Sequence, residues 1–140
     1  MIDEPRLNAI LARIKEETDH LRPLAKLTDD ELEASSETIP AIKYRFVVAI
    51  EACVDVARHI IASEGFRPAS SFADAFKILR EHDLLDPDLA AVMQQMAGFR
   101  NILVHLYLTV DEEEVKHNLR TNLGDFDRFR QMIAKAIGAS

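Results

Sequence analysis

The sequence predicts an all-α bundle of four to five main helices, and three observations carry that reading. Apolar residues recur at three- and four-residue spacing through almost every segment. No segment shows the apolar–polar alternation of a half-buried strand. Helix-capping residues stand at the breaks between the apolar stripes. The 140 residues are 48% hydrophobic, enough for one sizeable core, and the chain reads as a single domain over 1–140 without linker, repeat or low-complexity stretch.

The first helix starts near Asp3, with Pro5 in its first turn, where a missing N–H costs nothing. Leu7, Ile10, Leu11, Ile14, Thr18 and Leu21 share one stripe, and Pro23 bends or ends the helix. Thr28 and Glu31 form a capping box for a short helix, closed by a break at Ser35 and Ser36. The second main helix runs from about Pro40 to Ser63. Phe46, Val47, Ile50, Cys53, Val54, Ala57, Ile60 and Ile61 make it apolar around most of its circumference, so it is central or buried on two sides. Gly65 is its expected stop. Ser70 or Ser71 caps a third helix carrying Phe72, Phe76 and Leu79. Asp86 and Pro87 open a fourth, with Leu89, Val92, Met93, Met96 and Phe99 on its stripe. Asp111 caps a fifth, and Glu112, Glu113 and Glu114 suit the positive end of its dipole. Gly124 interrupts or loosens the next stretch, before a last stripe of Phe126, Phe129, Met132, Ile133 and Ile137.

Net charge is −7, from 24 acidic and 17 basic residues, which argues against a non-specific nucleic-acid coat but leaves room for a small basic cleft. The single cysteine rules out an internal disulfide framework and a Cys-based zinc site. No leader pattern and no membrane-spanning apolar run is visible, so the expected location is the cytoplasm, with no membrane partner. Glu17–His20 and Glu114–His117 have the Glu-x-x-His spacing of carboxylate-bridged metal bundles. Helical geometry turns both histidines away from the apolar stripes, so these pairs read as solvated faces and no metal or cofactor is expected.

On the second helix Glu51, Asp55 and His59 share a polar stripe. It reads as a solvated edge with an Asp55–Arg58 pair, or as the wall of a cleft. Cys53 reads as core, His82 as a helix-end residue, and Met93 and Met96 as packing.

The string Gly98 to Tyr107 interleaves Arg100, Asn101, His105 and Tyr107 with Ile102, Leu103, Val104 and Leu106. A surface helix would sort these chemistries onto separate faces. Arg100 and His105 lie about 140° apart on a straight helix. Either the helix ends or bends before His105, or two copies meet there and bring two arginines and two histidines into one cleft. Arginine offers a permanently charged fork for phosphate oxygens, and histidine exchanges protons near neutral pH. Asparagine orients either, and tyrosine stacks on a base or donates to phosphate. Such a set suits cleavage of an RNA phosphodiester by its own 2′-OH, which needs no metal. A core arginine and histidine tied to backbone carbonyls is the plainer alternative.

Arg100, four residues, His105, one residue, Tyr107 resembles the R-x4-H-x-Y motif of HEPN-domain toxins of the HepT type. Asn101 after the arginine fits their R-N/D-x-x-x-H form, and AIEACVDVARHII upstream and TVD downstream extend the likeness from about Leu7 to Ile137. The resemblance implies a HEPN-type bundle forming a homodimer, with the motif in a cleft at the two-fold axis. It implies a metal-independent endoribonuclease toxin of a type VII toxin–antitoxin system, cutting cellular RNA with tRNA the leading substrate. Its partner would be an MntA-like minimal nucleotidyltransferase antitoxin, which silences the toxin by AMP transfer to the motif tyrosine, here Tyr107. Arg100 would bind phosphate, His105 do acid–base work and Asn101 support them, with Glu51 and Asp55 as cleft support. The other reading is a non-catalytic HEPN module that dimerises and binds a nucleotide beside such a nucleotidyltransferase. Tyr44, on the apolar second helix, is expected to be less accessible than Tyr107.

Overall fold

The longest helix, α3 (Thr38–Glu64), is apolar on most sides, and the other elements collect around it. In the computed structural model, which describes residues 2–138, α1 (Glu4–Ala25), α2 (Asp29–Glu33), α4 (Phe72–Glu81) and α5 (Pro87–His105) accompany it. A 3₁₀ turn over Tyr107–Thr109, α6 (Glu112–Thr121) and α7 (Leu123–Gly138) complete the order. Residues 1, 139 and 140 of the expected domain lie outside the described residues. All seven α-helices are joined without a strand among the described residues, and α1, α3, α5 and α7 are the long ones. No described helix is long and apolar enough to cross a membrane.

Helix α1 lies along one flank of α3, α4 and α5 cover the other, and α7 closes the bundle against α1 and α5. Aromatic rings lock this arrangement. Phe46 of α3 meets Phe99 of α5 edge to face at 5.4 Å and Phe126 of α7 at 6.3 Å. Phe76 of α4 meets Phe129 of α7 edge to face at 5.8 Å. Phe99 directly precedes Arg100, so this core fixes the end of α5 that carries the motif.

The caps fall where the sequence puts them. Asp3 accepts from the Arg6 N–H, Ser71 from Asp74, Asp86 from Leu89 and Asp111 from Glu113. Thr28 and Glu31 form both halves of the capping box. Gly65 ends α3 in the left-handed conformation, at φ 69°. Two boundaries differ. Helix α3 begins at Thr38, leaving Pro40 in the first turn, where no N–H is needed. The break after α6 falls at Asn122, and Gly124 sits in the first turn of α7.

Glu17 departs from the solvated face expected of the Glu17–His20 pair. It is only 2% exposed and accepts from Arg13 Nε and Arg45 Nη1, each at 3.0 Å, while His20 faces solvent. A buried carboxylate needs such partners, and Arg45 comes from α3, beyond the reach of local pattern reading. His82 caps the end of α4 and stacks on Phe66 with ring centroids 3.5 Å apart.

The link from α3 to α4 is held by Arg67. Its guanidinium donates to both oxygens of Asp74 at 2.9 Å and to Glu81 at 2.9 Å, and Asp74 also accepts from the Ser70 N–H. The Arg67 bonds first, and then the Ser70 N–H, hold the Asp74 carboxyl well below its ordinary value of 3.8. A lowered folded-state value means that this contribution is complete above pH 3.8 and is lost as pH falls through the folded value. Asp74→Asn is therefore expected to lower Tm by a few degrees at pH 7. It is also expected to flatten the loss of stability below pH 4 in thermal melts followed by circular dichroism, relative to the wild type.

Candidate active site

Helix α5 stops at His105 because Leu106 leaves helical geometry, at φ −119° and ψ 37°, while its N–H still closes on the Ile102 carbonyl. The adjoining 3₁₀ turn swings Tyr107 and Leu108 outward, at 66% and 87% exposure, before Asp111 starts α6. His105 is thus the last helical residue, exposed at the tip, with Arg100 half-buried just over one turn earlier.

Four groups hold the Arg100 side chain. Its Nε donates to Glu51 Oε2 on α3 at 3.4 Å. Its Nη1 donates to Asn101 Oδ1 at 3.2 Å and stands 3.5 Å from His105 Nε2. Its Cζ lies 4.6 Å from the centre of the Phe72 ring at the start of α4. An arginine can only donate, so this contact is a hydrogen bond in the tautomer that keeps the lone pair on Nε2. A phosphate oxygen entering here would meet a guanidinium and an imidazole at once.

The structure thus resolves the geometric question at the motif. The helix runs through His105 rather than ending before it, and one chain alone brings the two side chains together. The angular separation between the two Cα positions is real, but arginine is long enough to reach around the helix end.

The stripe on α3 divides its work. Glu51 joins Arg100, and with Asp55 it also lines a groove of about 640 Å³ between α1 and α3, together with Arg6, Arg13, Tyr44 and Val47. Partial desolvation, and then the neighbouring Glu51 charge, raise the Asp55 carboxyl above its ordinary value. His59 leaves the stripe to accept from the Asp3 N–H at 3.1 Å. The expected Asp55–Arg58 ion pair is not made; Arg58 reaches Phe72 instead, with Cζ 4.8 Å from the ring centre. Cys53 is buried and its thiol is pushed up by that burial, as a core residue's would be.

Tyr44 corrects an expectation. It is 64% exposed, as open as Tyr107, because it lies on the flank of α3 facing the groove rather than on the buried faces. Phe72 was legible only as part of a hydrophobic stripe; its place at the first turn of α4, beside a link held by Arg67, is what puts its ring against the arginines.

A protein-family model described as ribonuclease HepT-like matches residues 14–133. The chain is 34% identical over 83 residues to the mRNA nuclease HepT of Shewanella oneidensis, covering 59% of this chain and 62% of that protein. It is 27% identical over 97 residues to the tRNA nuclease HepT of Aphanizomenon flos-aquae, covering 69% and 66%. The match to the Shewanella nuclease thus spans about three fifths of that protein's length. Among solved structures, the tri-AMPylated Shewanella oneidensis HEPN toxin in complex with MNT antitoxin superposes with a TM-score of 0.86 at 24% identity, over 96% of this chain and 99% of that one. A toxin–antitoxin complex with AMP-PNP gives 0.83 at 25% identity, over 95% and 99%.

The Glu51–Arg100 pair is 42% and 15% exposed on its two sides, so it contributes at most about 1 kcal/mol. Glu51→Gln is expected to shift Tm by no more than about 3 °C in a thermal melt. A larger loss would make the pair a structural tie rather than a device for holding the arginine.

Proposed function

The chain belongs to the ribonuclease HepT-like family, and from that premise we propose that it is a metal-independent endoribonuclease toxin acting on cellular RNA, tRNA first among its substrates. The observation that carries this is the contact of Arg100 Nη1 with His105 Nε2 at 3.5 Å, at an exposed helix end. Arg100 binds the scissile phosphate and neutralises the charge that builds on its non-bridging oxygens as phosphorus becomes five-coordinate. His105 moves the proton. The 2′ oxygen loses its proton as it attacks phosphorus, the 5′ oxygen leaves and takes a proton, and a 2′,3′-cyclic phosphate and a 5′-OH remain. Asn101 steadies the guanidinium through Oδ1, and Glu51 sets its angle from α3, with Asp55 shaping the neighbouring cleft wall.

The protein works as a cytoplasmic homodimer of this one domain. The segment after α5 exposes Leu106 and Leu108 beside Tyr107, an apolar surface that a second copy would cover while bringing its own His105 to the cleft. The two histidines then divide the two proton transfers.

A minimal nucleotidyltransferase of the MntA type is the proposed antitoxin. The Tyr107 hydroxyl attacks the α-phosphorus of ATP, pyrophosphate leaves, and the tyrosine carries AMP through a phosphodiester. That group adds a negative charge next to Arg100 and bulk at the cleft mouth, and both oppose RNA entry. Because Tyr44 is equally open, selectivity for Tyr107 comes from its place in the motif and not from accessibility.

Arg100→Ala and His105→Ala are each expected to lower RNA cleavage at least about 100-fold with the helical circular-dichroism spectrum unchanged. Cleavage by His105→Ala near the wild-type rate would remove the assignment and favour a non-catalytic module. After co-expression with such a nucleotidyltransferase, peptide mass spectrometry is expected to find AMP on Tyr107 and none on Tyr44. Suppressed toxicity with AMP on Tyr44, or on no tyrosine, would leave simple complex formation as the mechanism.

A further inference from the structure

Arg58 stands three residues after Asp55 on α3, where a helical ion pair is easy to make. Its guanidinium crosses to α4 instead and lies 4.8 Å from the centre of the Phe72 ring. Arg100 approaches the same ring at 4.6 Å. One phenyl group therefore gathers two guanidinium ions from two different helices. Bringing like charges together costs free energy, and each exposed cation–π contact offsets only about 0.5–1 kcal/mol of it. Glu51 neutralises part of the Arg100 charge. Arg58 is exposed and, among the described residues, makes no hydrogen bond or ion pair, so its donors are open to solvent and to ligands.

The two guanidinium carbons can be no further apart than the two ring distances laid end to end, a span that covers neighbouring phosphates of one nucleic-acid strand. We propose that Arg58 is a second phosphate-binding residue, holding the phosphate that flanks the scissile one, while Phe72 keeps the two cations in register. The inference rests on the ribonuclease reading of Arg100 and His105 and adds a substrate contact to it. Arginine suits the task because its planar fork meets two phosphate oxygens at once and stays charged at every working pH. Such a contact also explains how an acidic chain takes up RNA: the positive charge is concentrated at two neighbouring points rather than spread over the surface.

The test uses the full chain, a labelled single-stranded RNA of random sequence, and the same strand made uncleavable by 2′-deoxy substitution. Arg58→Ala is expected to raise KM for the RNA about tenfold and to leave kcat within about twofold. It weakens binding of the uncleavable strand to the same degree and lowers the slope of log affinity against log salt by about 0.7. Arg58→Lys restores the salt slope but only part of the affinity. Lys135→Ala, which removes one charge from α7, leaves KM, affinity and slope at wild-type values. An Arg58→Ala protein with wild-type KM, strand affinity and salt slope overturns the proposal and leaves the ribonuclease reading standing. A wild type that binds the strand but never cuts RNA overturns the ribonuclease reading, and the binding measurements then decide Arg58 alone. A wild type that binds no strand overturns both.

Discussion

Glu51 Oε2 accepts from Arg100 Nε at 3.4 Å, and this link between α3 and the end of α5 orders the candidate site. A free arginine samples many rotamers and would meet a phosphate only after losing that freedom. Here the carboxylate, the Asn101 amide and the Phe72 ring hold the guanidinium in place beside His105 at the helix end. The packing supports the same geometry from below. Phe46 wedges against Phe99 one residue before Arg100, and the Arg67 clamp holds the loop that delivers Phe72. Glu51, Phe72 and Phe46 reach the end of α5 from other helices, so the site is a consequence of the bundle and not a feature of one helix.

The arrangement also balances opposed demands. Glu51 is close enough to orient Arg100 but is itself 42% exposed, so its charge is screened by water and leaves much of the guanidinium's attraction for phosphate intact. Nearby Asp55 has its carboxyl raised, first by partial desolvation and then by the Glu51 charge on the same helix face. Positive charge at Arg58 and Arg100 and negative charge at Glu51 and Asp55 thus lie in one small region. The net charge of −7 describes the chain as a whole and says little about this local field.

Much of the fold was legible in the sequence because caps and stripes are local. Thr28 with Glu31, Ser71, Asp86, Asp111 and Gly65 each act within a few residues of themselves, and each does in the structure what its type requires. What escaped is set by tertiary partners. Glu17 is buried because Arg45 comes to it from α3, Arg58 lies over the Phe72 ring and acts on Asp55 only at longer range, and Tyr44 is open because α1 leaves that flank of α3 uncovered. The motif residues were legible as chemistry, from residue types and spacing, but their meeting was not. Angular arithmetic treats a side chain as a direction, whereas arginine bends around the end of a helix.

The central claim is that Arg100 and His105 promote attack by the substrate's own 2′ oxygen, with no metal taking part. The direct measurement is cleavage, in the presence of EDTA, of one RNA strand and of its twin carrying a single 2′-deoxy nucleotide immediately 5′ to the cut bond. The wild-type protein should cut the all-RNA strand and leave a 2′,3′-cyclic phosphate, and should leave that bond intact in the twin. Cutting of the deoxy twin at the same bond, or cutting that stops in EDTA, would contradict the account.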